Sequence, residues 1–141
     1  MINETTLEYL STKGHTPPRT DQTRIAYATD WLSRLRGLLG TSREEWDNAQ
    51  LIIDPCQSIH TMGMRYPIDV AFIDPRMRVL SIRMNVPPRR IVLGPALSLL
   101  VIERPARKTE WYQEGEKLSW LMHLRNGTKQ LIREDPREEE S

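Results

Sequence analysis

The chain has 141 residues, 38% of them apolar and 28% charged, and its 20 basic and 19 acidic side chains leave a net charge of +1. That length supports one hydrophobic core but not two ordinary domains, and the near balance of charge excludes a disordered polyelectrolyte. No apolar run reaches the ~20 residues of a bilayer-crossing helix, the opening MINETTLEYLSTKGHTPP lacks the basic-then-apolar order of a secretory leader, and the lone cysteine has no partner in the chain, so the expected location is the cytoplasm.

Residues 1–21 are polar and hold the Pro17-Pro18 break, which predicts a flexible arm with at most a helical turn around Leu7, Tyr9 and Leu10. A single β-rich domain is expected over 22–133, followed by an acidic tail at 134–141. RIAYA at 24–28 reads as a first strand. Asp30 then caps a short helix over 31–39 that Gly40 stops, with Trp31, Leu35, Leu38 and Leu39 as its buried face. Leu51, Ile52 and Ile53 form a second strand, ended at Asp54-Pro55 because proline fixes its own φ and restricts the residue before it.

After a loop or irregular strand at 56–66, Ile68, Val70 and Phe72 alternate with Asp69 and Ala71 up to the Asp74-Pro75 turn. Leu80, Ile82 and Met84 return as the second strand of a hairpin. Pro87-Pro88 and Gly94-Pro95 bracket Ile91-Val92-Leu93, and the nearly continuous apolar run 97–102 has the length and composition of a central buried strand. Finally Leu118, Trp120, Met122 and Leu124 alternate into Asn126-Gly127, the favoured two-residue hairpin turn, with 128–132 returning. The expected fold is mainly β: a small, closed or half-closed barrel-like domain with one short helix and a C-terminal β-hairpin.

Three groups of residues could carry function. Cys56, His60 and Asp69 suggest a nucleophile, a base and an orienting acid, although a loop does not bring positions four apart onto one face. Cys56 and His60 supply two metal-ligand types where structural zinc wants four, so no metal or cofactor is expected. Met62, Gly63, Met64 and Tyr66 make an adaptable apolar rim beside His60 and Asp69 if the loop is exposed, and plug one end of the barrel if it is buried, the more frequent case in small domains; Arg65 lies among them. Between 75 and 108 stand Arg76, Arg78, Arg83, Arg89, Arg90, Arg104, Arg107 and Lys108 against Glu103 alone, a concentration of positive charge suited to phosphate groups or an acidic partner, or simply to solvated sheet edges.

The stretch LIIDPCQSIHTMGMRYPIDVAFID at 51–74 resembles the core of domain of unknown function family 192, in which a Ser-Ile-His-Thr or aromatic-Met-Lys-Asn run leads into Pro-Ile-Asp and an apolar strand. Arg36-Gly37-Leu38-Leu39-Gly40 resembles the family's Arg-Gly-Leu-Met box, and the likeness spans about residues 22–120. Arg104-Pro105-Ala106-Arg107 lacks the glycine of its Leu-Pro-Ala-Gly element, and Gly115-Glu116 stands in place of Gly-Asp. The resemblance implies a small β-rich domain without agreed catalytic residues and, from relatives encoded beside pilus or secretion genes, membership of a larger assembly.

The resulting expectation is a non-enzymatic binding or accessory module with a protein partner. Its candidate contact residues are His60, Met62, Met64, Arg65, Tyr66, Asp69, Arg76, Arg78, Arg89, Arg90, Arg104 and Arg107. The alternatives are a nucleic-acid or phosphate-binding protein using the basic 76–108 face, and a thiol enzyme using Cys56 with His60.

Overall fold

The structure is a computed structural model, and it describes residues 2–3, 24–47 and 49–134. The strands are β1 (Ile2–Asn3), β2 (Arg24–Ala28), β3 (Ala49–Ile53), β4 (Ser58–His60), β5 (Ile68–Ile73), β6 (Val79–Val86), β7 (Ile91–Leu93) and β8 (Leu100–Pro105), with helices α1 (Trp31–Arg36) and α2 (Ser119–Glu134). Most of the flexible arm read from the sequence, including its helical turn, and the tail from 135 onward lie outside the described residues; within that arm, Ile2 and Asn3 pair with Ala28 and Tyr27.

Six strands form one sheet in the order β1-β2-β3-β8-β5-β6, and β4 pairs with β7 in a separate antiparallel ribbon. β2 and β3 run parallel; such a pair needs a crossover, which α1 and the 3-10 turn Glu44–Trp46 provide. Among the described residues β1 and β6 end the sheet without meeting, so it is open rather than closed into a barrel.

Every residue of β3, β5 and β8 is buried, because both faces of the sheet are covered. Side chains alternate across a strand, so each strand feeds two cores. Ile25, Tyr27, Ile52, Ala71, Ile73 and Ile102 pack with Trp120, Leu121 and Leu124 of α2. Leu51, Ile53, Ile68, Val70, Phe72 and Val101 pack on the other side with Leu38, Ile59 and Met64. This places α2 on one face of the sheet and the ribbon with the α1 segment on the opposite face.

The predicted C-terminal hairpin is instead α2. Alternation through Leu118, Trp120, Met122 and Leu124 ignores Leu121, whereas buried Leu118, Leu121 and Leu124, with Trp120 and Gly127, recur at the three- and four-residue spacing of a helix. Gly127 disfavours a helix by only ~1 kcal/mol, while burying each large apolar side chain contributes roughly 1.5–3 kcal/mol. Tertiary packing thus overrides a local turn signal. Arg125 Nε of α2 also donates to Asp54 Oδ2 at 2.8 Å, tying the helix to the end of β3.

Two further expectations change. β8 begins at Leu100 rather than at 97, because Ser98 N–H donates to Pro95 O in a turn and Leu97 is exposed. The first helix ends at Arg36, and Trp31 and Leu35 lie on the surface instead of on a buried face; only Leu38 is fully buried. Gly37 at φ 54° turns the chain there, in a region that glycine occupies without steric penalty.

Candidate functional site

The α1 segment owes its position to two local devices. Asp30 Oδ1 accepts from Ser33 N–H at 2.9 Å and caps the helix. After one and a half turns, Gly37 redirects the chain so that Leu38 enters the core while Leu35 stays outside. Facing this segment is the ribbon, where Ser58 opposes Leu93 and His60 opposes Ile91. Between the two lies a cleft of about 290 Å³, walled by Arg34, Leu35 and Gly37 on one side and by Ser58, His60 and Ile91 on the other.

The cleft contains Glu103, an acid in the central strand β8, 3% exposed and with Leu51 and Val70 as its cross-strand neighbours. Burial pushes its carboxyl up to about 7, opposed only by a hydrogen bond from the Leu38 backbone. A Cβ on Gly37 would stand 3.0 Å from Glu103 Oε2, so the glycine permits the close approach as well as the turn. Two other polar atoms of the lining, Arg34 Nε and His60 Nδ1, are buried without a hydrogen-bond partner among the described residues. Arg34 Nη1 donates to Pro55 O at 3.2 Å, and the same side chain borders a second cleft that includes Trp31, Leu35, Cys56 and Leu99.

Several residues singled out in the sequence are separated by the fold. His60 lines the first cleft, Cys56 the second, and Asp69 a third recess with Arg43, Asn85 and Arg107. Asp69 accepts from Arg104 Nε at 2.9 Å and from the backbone N–H of Asn85 at 2.8 Å, so its carboxylate is committed to holding strands together. Of the two readings of this stretch, Met64 and Tyr66 follow the buried one, with the Tyr66 hydroxyl 2.6 Å from Thr41 Oγ1, while Met62 and Arg65 are exposed. Arg76, Arg78, Arg89 and Arg90 are exposed, but Arg104 has no accessible surface and Arg107 Nη2 donates to Trp46 O at 3.0 Å, which breaks up the basic face. Among the described residues no three His, Cys, Asp or Glu side chains are grouped to hold a metal ion.

Cys56 Sγ donates to Ser58 O at 3.0 Å, and burial raises its thiol from 9.0 to about 11. The thiolate is the nucleophile, so a shift of this size lowers its population at neutral pH. Iodoacetamide at pH 7.5 is expected to alkylate the folded protein about a hundredfold more slowly than a free cysteine, and at the free rate after unfolding. Equal rates in the two states, followed by mass spectrometry, would contradict this picture of the thiol.

The family model DUF192, Uncharacterized ACR, matches residues 13–120. The chain belongs to the DUF192 family. A Novosphingobium aromaticivorans DSM 12444 protein of unknown function is similar in fold, with a TM-score of 0.53 and 21% identity over 59% of this chain and 63% of that one. A Sinorhizobium meliloti 1021 protein described as a putative transcription regulator has a TM-score of 0.52 and 21% identity over 59% of this chain and 68% of that one. The DUF192 chain thus spans less than two thirds of the Novosphingobium protein's length, and at this identity the likeness is one of fold. Among curated proteins none matches the chain.

The two stretches that carry the DUF192 resemblance, Arg36-Gly37-Leu38 and Ser58-Ile59-His60, line the same cleft. Reading the sequence alone missed Arg34, Leu35, Ile91 and Glu103 as members of this site. For Glu103 a signal existed: it is the only acid between 75 and 108 and directly follows the apolar run 97–102, and an ionisable side chain inside a buried strand is rare without a specific role.

Proposed function

We propose that this DUF192 protein is a non-enzymatic binding module that receives a partner protein in the cleft between α1 and the β4–β7 ribbon. The observation that carries this reading is that Leu35 and Ile91, 58% and 68% exposed, line the cleft from its two sides, each with a second exposed apolar side chain on its own element, Trp31 one helical turn from Leu35 and Leu93 two residues from Ile91. Such side chains scattered singly need no explanation, but a contiguous group beside a groove is the usual mark of an interaction surface. They extend past a cavity of about 290 Å³, which favours a polypeptide over a compact small molecule. A half-buried free thiol suits work in the reducing cytoplasm.

A nucleic-acid role through Arg76, Arg78, Arg89 and Arg90 is the weaker reading, because Arg104 and Arg107 are engaged within the fold. Photo-crosslinking in the native cell separates the two. A benzophenone amino acid in place of Leu35 is expected to give a discrete protein adduct that the same probe at exposed Gln113 does not. No adduct at Leu35, or the same adduct at both positions, would dismiss the cleft as the interface, and an adduct at Arg89 alone would move it to the basic side.

A further inference from the structure

We infer that the cavity between Gly37, His60 and Glu103 captures the C-terminal carboxylate of the partner polypeptide, with the apolar side chain of its last residue against Leu35, Ile59 and Ile91. This rests on the proposed binding role and adds what is recognised there. The argument starts from hydrogen-bond accounting: buried polar groups in folded proteins nearly always have partners, and an unpaired buried charged donor is strongly unfavourable. Here two buried polar atoms without a hydrogen-bond partner among the described residues, Arg34 Nε and His60 Nδ1, belong to side chains that line one cavity. Arginine can only donate, so the group that completes Arg34 is an acceptor, the permanent guanidinium charge favours an anionic one, and His60 donates to the same group in the tautomer that carries the proton on Nδ1.

The remaining polar group supports the same complement. The ionisable or charged side chains lining the cavity are Arg34, Arg36, His60 and Glu103. Arg36 Nε already donates to Leu39 O at 3.0 Å, and Glu103 titrates at about 7. In its protonated form Glu103 is a donor and does not repel an incoming carboxylate. Apart from the Ser58 hydroxyl and Gly37, the other lining residues are apolar, among them Leu35, Ile53, Ile59, Met64 and Ile91, as an amphipathic chain end requires. A carboxylate from a free fatty acid would share this chemistry, but exposed Trp31 and Leu93, on the same elements as the lining residues Leu35 and Ile91, give a longer chain further surface to follow. Capture of a terminal carboxylate with flanking apolar pockets is a recurrent mode of peptide recognition.

The test uses fluorescence anisotropy with the full chain and labelled heptapeptides ending in Leu, Val, Ile or Phe, each made as the free acid and as the C-terminal amide. At least one free acid is expected to bind tenfold or more tightly than its amide, to weaken between pH 6 and pH 8.5, and to lose tenfold in affinity on Arg34→Gln in a variant whose circular dichroism is unchanged. Glu103→Gln is expected to remove most of the pH dependence. Equal binding of acid and amide, both lost in Leu35→Asp, would overturn the carboxylate inference while leaving the binding module standing. Binding of octanoate with no peptide bound would overturn the polypeptide as its source. Failure of all peptides together with a discrete Leu35 crosslink would likewise overturn the inference alone, and failure of both would remove the binding role as well.

Discussion

Replacing Asp69 by Ala is expected to destabilise the protein by about 3–5 kcal/mol, the range for removing one partner of a buried ion pair. Asp69 and Arg104 are register partners on β5 and β8, and their side chains are 1% and 0% exposed with Nε 2.9 Å from Oδ2. The rest of the guanidinium is also placed: Nη2 donates to Thr109 O at 3.0 Å, and the group lies 4.7 Å from the centre of the Trp111 ring. Without the carboxylate, a permanent charge stays in the core and the Asn85 N–H loses its acceptor. Most of the loss comes from that stranded charge rather than from the pair's net value, so Asp69→Val combined with Arg104→Met should be less destabilised than Asp69→Ala. Urea denaturation measures both, and a loss below 1 kcal/mol for Asp69→Ala would mean that water reaches Arg104.

Glu103→Gln is expected to make the protein more stable at pH 8 by about 3 kcal/mol and to change it by no more than about 1 kcal/mol at pH 5. The carboxyl titrates at about 7 in the fold against an ordinary 4.5 because it is buried. The native state therefore holds this proton more tightly than the unfolded chain does. The stability linked to that proton is complete below about 4.5 and is lost as the pH rises through about 7. Glutamine has nearly the same shape, keeps an oxygen for the Leu38 amide, and carries no charge to bury at any pH. Denaturant midpoints of the two proteins across pH 5 to 8 give the comparison; parallel curves would show that Glu103 is hydrated or paired.

An acid that weakens the fold near neutrality is consistent with a role other than stability, since local rules are most often broken where a site is built. Gly37 is of the same kind. Its φ of 54° and the 3.0 Å clearance that a Cβ would have from Glu103 tie one residue both to the turn after α1 and to the shape of the cleft.

The sequence by itself determined the mainly β character, the strands around 24–28, 51–53, 68–73 and 79–86, the Asp30 cap and the family. These rest on local physics: alternation has a fixed period, proline and glycine punctuate it, and a cap acts across three residues. The tertiary structure alone decided the rest. α2 exists because Leu121 completes a stripe that needs the sheet to cover it, so the Asn126-Gly127 turn signal yields to burial. Trp31 and Leu35 are exposed because no element covers them among the described residues, which no helical period can reveal. Among the described residues the sheet stays open, with β1 and β6 at opposite ends of the strand order. Arg104 leaves the basic face and Glu103 joins His60 because strand register, a long-range property, chooses each side chain's neighbours and the face it occupies.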